Sequence, residues 1–114
     1  VEPEVILVFN RLHIEAPGEI LIEEQDIRAL AIKILKGLGE KDPESVLKVR
    51  KDRCQNRDVA IYILYRLGVY LNREIGKEFG IGYTAVSGAV RRGEEYLRSD
   101  GQLERITKRV IADI

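Results

Sequence analysis

Apolar residues recur at spacings of three and four along most of this chain, and that period predicts helices. Over Gln25 to Lys36, one stripe holds Ile27, Leu30, Ala31, Ile34 and Leu35, with Leu38 extending it and Gly37 and Gly39 ending it. Asp42-Pro43 starts a short helix. Aspartate suits the N-cap, and proline suits the first helical position, where its missing N–H would have no partner anyway. Val46, Leu47 and Val49 supply an apolar edge. A third helix runs from Arg57 to Arg66, capped by Asn56, burying Val59, Ala60, Ile63, Leu64 and Leu67 and ending at Gly68. Asn72 caps a fourth, in which Ile75 and Phe79 share a face. After Gly80-Ile81-Gly82, a fifth helix from Tyr83 to Leu97 buries Val86, Ala89, Val90, Gly93 and Leu97. Ser99-Asp-Gly-Gln102 matches a capping box, and Leu103, Ile106, Val110 and Ile114 face one side of the last helix. The expected fold class is all-α, a multi-helix bundle over residues 25–114.

Residues 1–24 do not follow this period. Val5-Ile-Leu-Val-Phe9 and Glu19-Ile-Leu-Ile-Glu23 flank the turn signal Ala16-Pro17-Gly18. Two readings stand: a short β-hairpin, or an extension packed on the helices or left from an upstream domain.

The stretch from Asn72 to Arg91 organises the rest. Gly80 falls where the helix must end, and glycine alone takes a left-handed backbone there without a Cβ clash. Ile81 returns an apolar side chain to the core, and Gly76 is the small residue expected where two sharply crossed helices meet. This constellation resembles the helix-turn-helix unit of DNA-binding proteins, with its small residue, turn glycine and buried valine at Gly76, Gly80 and Val86. An ordinary helical hairpin with a glycine turn is the alternative.

Charge sharpens this picture. The formal net charge is zero, but it is unevenly spread. Residues 1–47 carry five basic and ten acidic side chains, whereas residues 48–78 carry eight basic and four acidic. Association follows the local field, so the excess beside the candidate unit favours a polyanion, with weak non-specific affinity from one copy. Lys48-Val-Arg-Lys-Asp-Arg-Cys-Gln-Asn-Arg57 holds five basic residues, and reads either as a solvated loop or as a basic arm that meets phosphates.

The remaining chemistry is sparse. No apolar run approaches the ~18–20 residues that span a bilayer. With 114 residues, 45% hydrophobic and 33% charged, the chain suits one domain, or one and a fragment. It starts without methionine or a signal-peptide pattern, which predicts a piece of a longer protein. The lone Cys54 forms no internal disulfide and fits the reducing cytosol, so the expected location is cytoplasmic, and nucleoid-associated if the candidate unit binds DNA. It reads as a spectator, with a reactive thiol beside Arg53 as the alternative. His13, the single histidine, reads as a surface or packing residue. Tyr62, Tyr65 and Tyr70 read as core or core-edge packing, with base stacking as the alternative. No metal-ligand cluster, nucleophile–base pairing or phosphate-binding glycine motif is present, so neither an enzyme nor a cofactor is expected.

From Gln25 to Leu97 the order is apolar helix, Asp-Pro helix, basic loop, Arg57-Asp58-Val59-Ala60, Ile75-Gly76-Lys77-Glu78-Phe79-Gly80, then Tyr83-Thr84-Ala85-Val86 running into Arg91-Arg92. This resembles the C-terminal DNA-binding domain of the bacterial replication initiator DnaA, a helical fold of the Trp-repressor kind. It looks even more like the related domain appended to bacterial transposases of the REP-associated tyrosine type. The resemblance covers about two thirds of the chain, and implies an upstream catalytic domain in the parent protein. It departs where the initiator has Asp-His and a threonine pair: here stand Gly82-Tyr83, Thr84 and Ala85. Gln55 replaces a usual arginine. The resemblance therefore implies the same docking and not the same target sequence. A transposase catalytic site needs paired histidines, so this chain does not carry it.

Docking of that kind puts the helix from Tyr83 to Leu97 in the major groove of double-stranded DNA. Its expected outward positions are Tyr83, Thr84, Ala85, Ser87, Gly88, Arg91 and Arg92. Thr84 and Ser87 would meet base edges or phosphates, Ala85 a thymine methyl, and Arg91 a guanine or a phosphate. Gly88 and Ala85 keep the face shallow. Asn72 and Arg73 would bring a helix N-terminus to a phosphate. Arg50, Lys51, Arg53 and Arg57 would hold the flanking backbone or enter the minor groove. The competing expectation is a helical protein-interaction domain that does not bind DNA.

Overall fold

The computed structural model describes residues 26–48 and 54–114. Six helices occupy them: α1 Ile27–Gly37, α2 Pro43–Lys48, α3 Gln55–Leu67, α4 Asn72–Phe79, α5 Tyr83–Ser99 and α6 Gly101–Ala112. No strand occurs among the described residues, and the chain is an all-α multi-helix bundle, as the apolar period predicts. The hairpin or extension over 1–24, and Val49, Arg50, Lys51 and Arg53 of the basic segment, lie outside the described residues.

The bundle is built around α3. The sequence predicts one buried side for it, but Val59, Ala60, Ile61, Tyr62, Ile63 and Leu64 are all at most 1% exposed. From Val59 to Leu64 the helix is apolar all round and needs cover all round, and α1, α4 and α5 all pack against α3, α5 most extensively. Leu30, Ala31, Ile34 and Leu35 press α1 into this core, and Leu103, Val110 and Ile111 bring α6 in beside α1 and α5. Each fully buried Leu, Ile or Phe side chain contributes roughly 1.5–3 kcal/mol.

Helix ends follow local hydrogen bonding, and three differ from the sequence expectation. Asn56 does not cap α3, which starts at Gln55 with Cys54 as N-cap. The Asn56 amide instead donates to Glu40 Oε1 at 2.8 Å, tying α3 to the turn after α1. Asn72 is the first residue of α4 rather than its cap, and the Leu71 N–H donates to Glu74 Oε1 at 2.9 Å. Ser99 ends α5, its hydroxyl donating to the Glu95 carbonyl, while the Asp100 carboxylate accepts from the Gln102 and Leu103 N–H groups at 3.1 Å each. Ser99 is unavailable as a cap because its hydroxyl turns back into α5, and Asp100, the next residue, takes the position.

Candidate nucleic-acid interface

The α4–turn–α5 segment is positioned by its apolar residues. Ile75 and Phe79 of α4 and Val86 of α5 are fully buried, with Ala89 at 1% exposure, and half-buried Ile81 packs against the same core. The turn is tight. Gly80 is left-handed, at φ 67° and ψ 29°, and the Ile81 N–H donates to the Gly76 carbonyl at 2.9 Å. A Cβ on Gly76 would lie 2.6 Å from the Ile81 carbonyl oxygen and 3.4 Å from the carbonyl of Gly82, the N-cap of α5, so this glycine makes room for the turn and for the start of the second helix. A second close approach is at Gly93, where a Cβ would lie 2.6 Å from the Asp58 carbonyl oxygen of α3.

With that side of α5 against the core, the opposite side is open. Tyr83 is 65% exposed, Thr84, Ala85, Ser87 and Arg91 are exposed, and Gly88 is half-buried. The N-terminus of α5 is also open. Its N-cap, Gly82, has no side chain to accept from the first turn, and the Tyr83 and Thr84 N–H groups donate to no protein acceptor among the described residues. The N-cap of α4, Leu71, likewise has no side-chain acceptor, which leaves the Asn72 and Arg73 N–H groups to solvent or a ligand. Two helix starts thus carry unspent donors and partial positive charge. Arg73, Lys77 and Arg91 are exposed, and none forms an ion pair among the described residues. Nearby acids are partly engaged: Glu78 lies 3.7 Å from Arg28, and Glu94 2.9 Å from Arg98.

Two arginines expected at this surface are placed elsewhere. Arg92 reaches sideways from α5 to α3, its Nε donating to Asp58 Oδ2 at 2.9 Å and its Nη2 to Asp58 Oδ1 at 3.3 Å. That hydrogen bonding to the carboxylate holds the Arg92 pKa above its ordinary value; burial opposes the shift and the Asp58 charge adds to it. Asp58 itself is 0% exposed. Arg57 is only 6% exposed within α3, so it is not part of an exposed basic arm. It opens the stretch of α3 from Arg57 to Leu64, every residue of which is buried. Sequence reasoning overlooked Asp58; the available signal was a carboxylate in a helix otherwise apolar from Val59 to Leu64.

Gly88 and Gly93 lie on the same helix and answer substitution oppositely. The sole near neighbour of a Cβ at Gly88 is Arg92 Nη1, at 3.3 Å, the guanidinium nitrogen in neither Asp58 hydrogen bond, which needs to give by only a few tenths of an ångström. Gly88→Ala is therefore expected to stabilise the fold by about 0.5–1 kcal/mol through helix propensity, read as a higher midpoint in urea.

Comparison with known proteins gives no significant match, whether to family models, curated proteins or solved structures. Among the described residues no three metal-ligating side chains gather, and no helix is long and apolar enough to cross a membrane.

Proposed function

We propose that α4, the Gly80 turn and α5 form a helix-turn-helix that binds double-stranded DNA sequence-specifically, with α5 in the major groove. The observation that carries this reading is the open side of α5: Thr84, Ser87 and Arg91 exposed beside an uncapped helix N-terminus. Hydroxyl and guanidinium groups suit the donor and acceptor pattern of base edges. Gly88 and Ala85 add little bulk, which lets the backbone come close. Arg73 and the free amides of α4 would take a flanking phosphate. The motif resemblance supports the same reading, in which this chain is the DNA-binding part of a bacterial transposase- or replication-initiator-like protein acting at the nucleoid.

The test is a titration of Arg91→Ala against labelled duplex DNA across a salt series. An Arg91 that contacts phosphate is expected to lower the slope of log affinity against log salt by about one when removed. An Arg91 that contacts a guanine is expected to cost about 1–3 kcal/mol at its preferred sequence alone. Unchanged affinity for every duplex would contradict the reading.

One observation favours the competing reading of a protein-interaction domain. Tyr65, Val69 and Leu71, around the α3–α4 connection, are 39%, 45% and 58% exposed. Binding to a protein partner that Leu71→Asp abolishes, together with no salt-sensitive affinity for DNA, would favour it.

A further inference from the structure

Asp58 meets α5 twice. Its backbone carbonyl lies against Gly93, where a Cβ would stand 2.6 Å away, and its carboxylate takes both hydrogen bonds from Arg92. These are consecutive residues of α5, and Arg91 immediately before them is exposed. The two contacts restrain different motions. The glycine lets α3 and α5 approach, but the rest of the seam (Val86, Ala89 and Leu97) is apolar, and apolar contact is non-directional. Apolar burial fixes which side of α5 turns inward, and leaves only small rotations for a directional contact to set. The paired Nε and Nη2 bonds are directional, and they join a 0% exposed carboxylate to an arginine on the flank of the open face. The Arg92 side chain also lies along α5 beside Gly88, since a Cβ on Gly88 would be 3.3 Å from its Nη1.

We propose that Asp58 and Arg92 are positioning residues that fix the rotation of α5 about its own axis, and so determine which base edges Thr84, Ser87 and Arg91 reach. This rests on the DNA-binding reading above. Arg92 then acts through α5 rather than on DNA, even though its charge and neighbours suggest a phosphate contact. The two roles have different signatures. A phosphate contact contributes to every sequence alike and to the salt slope. A positioning pair contributes to discrimination, because a base contact depends on placement within a fraction of an ångström.

The experiment first selects a preferred duplex with the wild-type chain. It then measures affinity for that duplex and for a randomised pool, across a salt series, with Arg92→Gln, Asp58→Asn and their combination. The expected result is a roughly tenfold fall in the ratio of preferred to random affinity for each single variant, the value of one misplaced base contact. The salt slope stays at the wild-type value, and the double variant is no worse than either single one, because both remove the same restraint. If Arg92→Gln weakens all duplexes equally and lowers the slope by about one, while Asp58→Asn binds as well as wild type or better, Arg92 is a phosphate contact and the proposal is overturned. An unchanged ratio in every variant overturns it as well. Should Asp58→Asn fail to fold, Arg92→Lys carries the test: it keeps the charge and loses the fork. Positioning predicts that this variant loses the ratio at an unchanged slope, and an unchanged ratio overturns it. A wild-type chain that prefers no duplex refutes the DNA reading itself, and that outcome appears before any variant is made.

Discussion

Gly93→Ala is expected to destabilise the protein by about 2 kcal/mol or more, against the usual gain of up to about 1 kcal/mol for replacing glycine by alanine within a helix. The added Cβ would stand 2.6 Å from the Asp58 carbonyl oxygen and 2.9 Å from Tyr62 Cβ. Neither neighbour can yield cheaply. The first is helical backbone, and the second carries a side chain only 1% exposed. The helices must separate, and separation lengthens the Arg92–Asp58 hydrogen bonds while opening the seam around Val86 and Ala89. For a domain of this size, 2 kcal/mol lowers the melting temperature by roughly 8–16 °C. Thermal unfolding followed by circular dichroism reads this directly, with Gly88→Ala as the opposite-signed companion on the same helix. A Gly93→Ala chain that melts at or above the wild-type temperature would mean that α3 and α5 are not this close.

Phe79→Ala is expected to cost more, about 3–5 kcal/mol, the usual range for removing a large aromatic side chain from a core. Phe79 is 0% exposed and is the last residue of α4, immediately before the Gly80 turn. Around it lies a core that includes Ile75 and Val86. Its loss removes buried area and also loosens the element that sets the angle between α4 and α5. Chemical denaturation with the slope held at the wild-type value gives the stability change. If that change stays below about 1 kcal/mol, the site must be able to collapse around the truncated side chain, and Phe79 is not the anchor described above.

Much of this fold is legible in the sequence because its signals are local. Five of the six helices follow from apolar spacing within their own residues and α2 from its Asp42-Pro43 start, and the glycine ends of α3 and α4, at Gly68 and Gly80, follow from a backbone conformation that side chains disfavour. The errors arise where a second, distant partner decides. Asn56 has the right chemistry for a cap, but Glu40, sixteen residues away, claims its amide. Arg92 has the spacing of an outward residue, but Asp58, thirty-four residues away, turns it sideways. Arg57 belongs to a basic run, yet it opens the buried stretch of α3 from Arg57 to Leu64 and is taken inward. Ile61 is buried outside the stripe read from the sequence, because α1, α4 and α5 all pack against α3, whereas Tyr62 is buried as its core-packing reading expects. In α6, Thr107 and Ile111 are buried although the stripe read from the sequence passes through Leu103, Ile106 and Val110. The stripe is simply wider than the pattern chosen.

The candidate surface is legible to the same extent. Tyr83, Thr84, Ala85, Ser87 and Arg91 are exposed as the apolar stripe of α5 requires, because burying Val86 and Ala89 fixes what points the other way. The start of α4 is legible as a phosphate-facing end through Asn72 and Arg73, but its lack of a side-chain cap is not, since Asn72 reads as the cap until the structure puts Leu71 there. The structure adds the start of α5, whose N-cap Gly82 has no side chain to accept from the first turn.

The most direct measurement is fluorescence anisotropy of the wild-type chain with a randomised pool of labelled duplexes, repeated across a salt series, followed by selection and sequencing of the bound fraction. The account predicts binding that weakens steeply with salt and a bound fraction enriched in one sequence. No binding above background at low salt, or binding with no enriched sequence, would contradict sequence-specific recognition by α5.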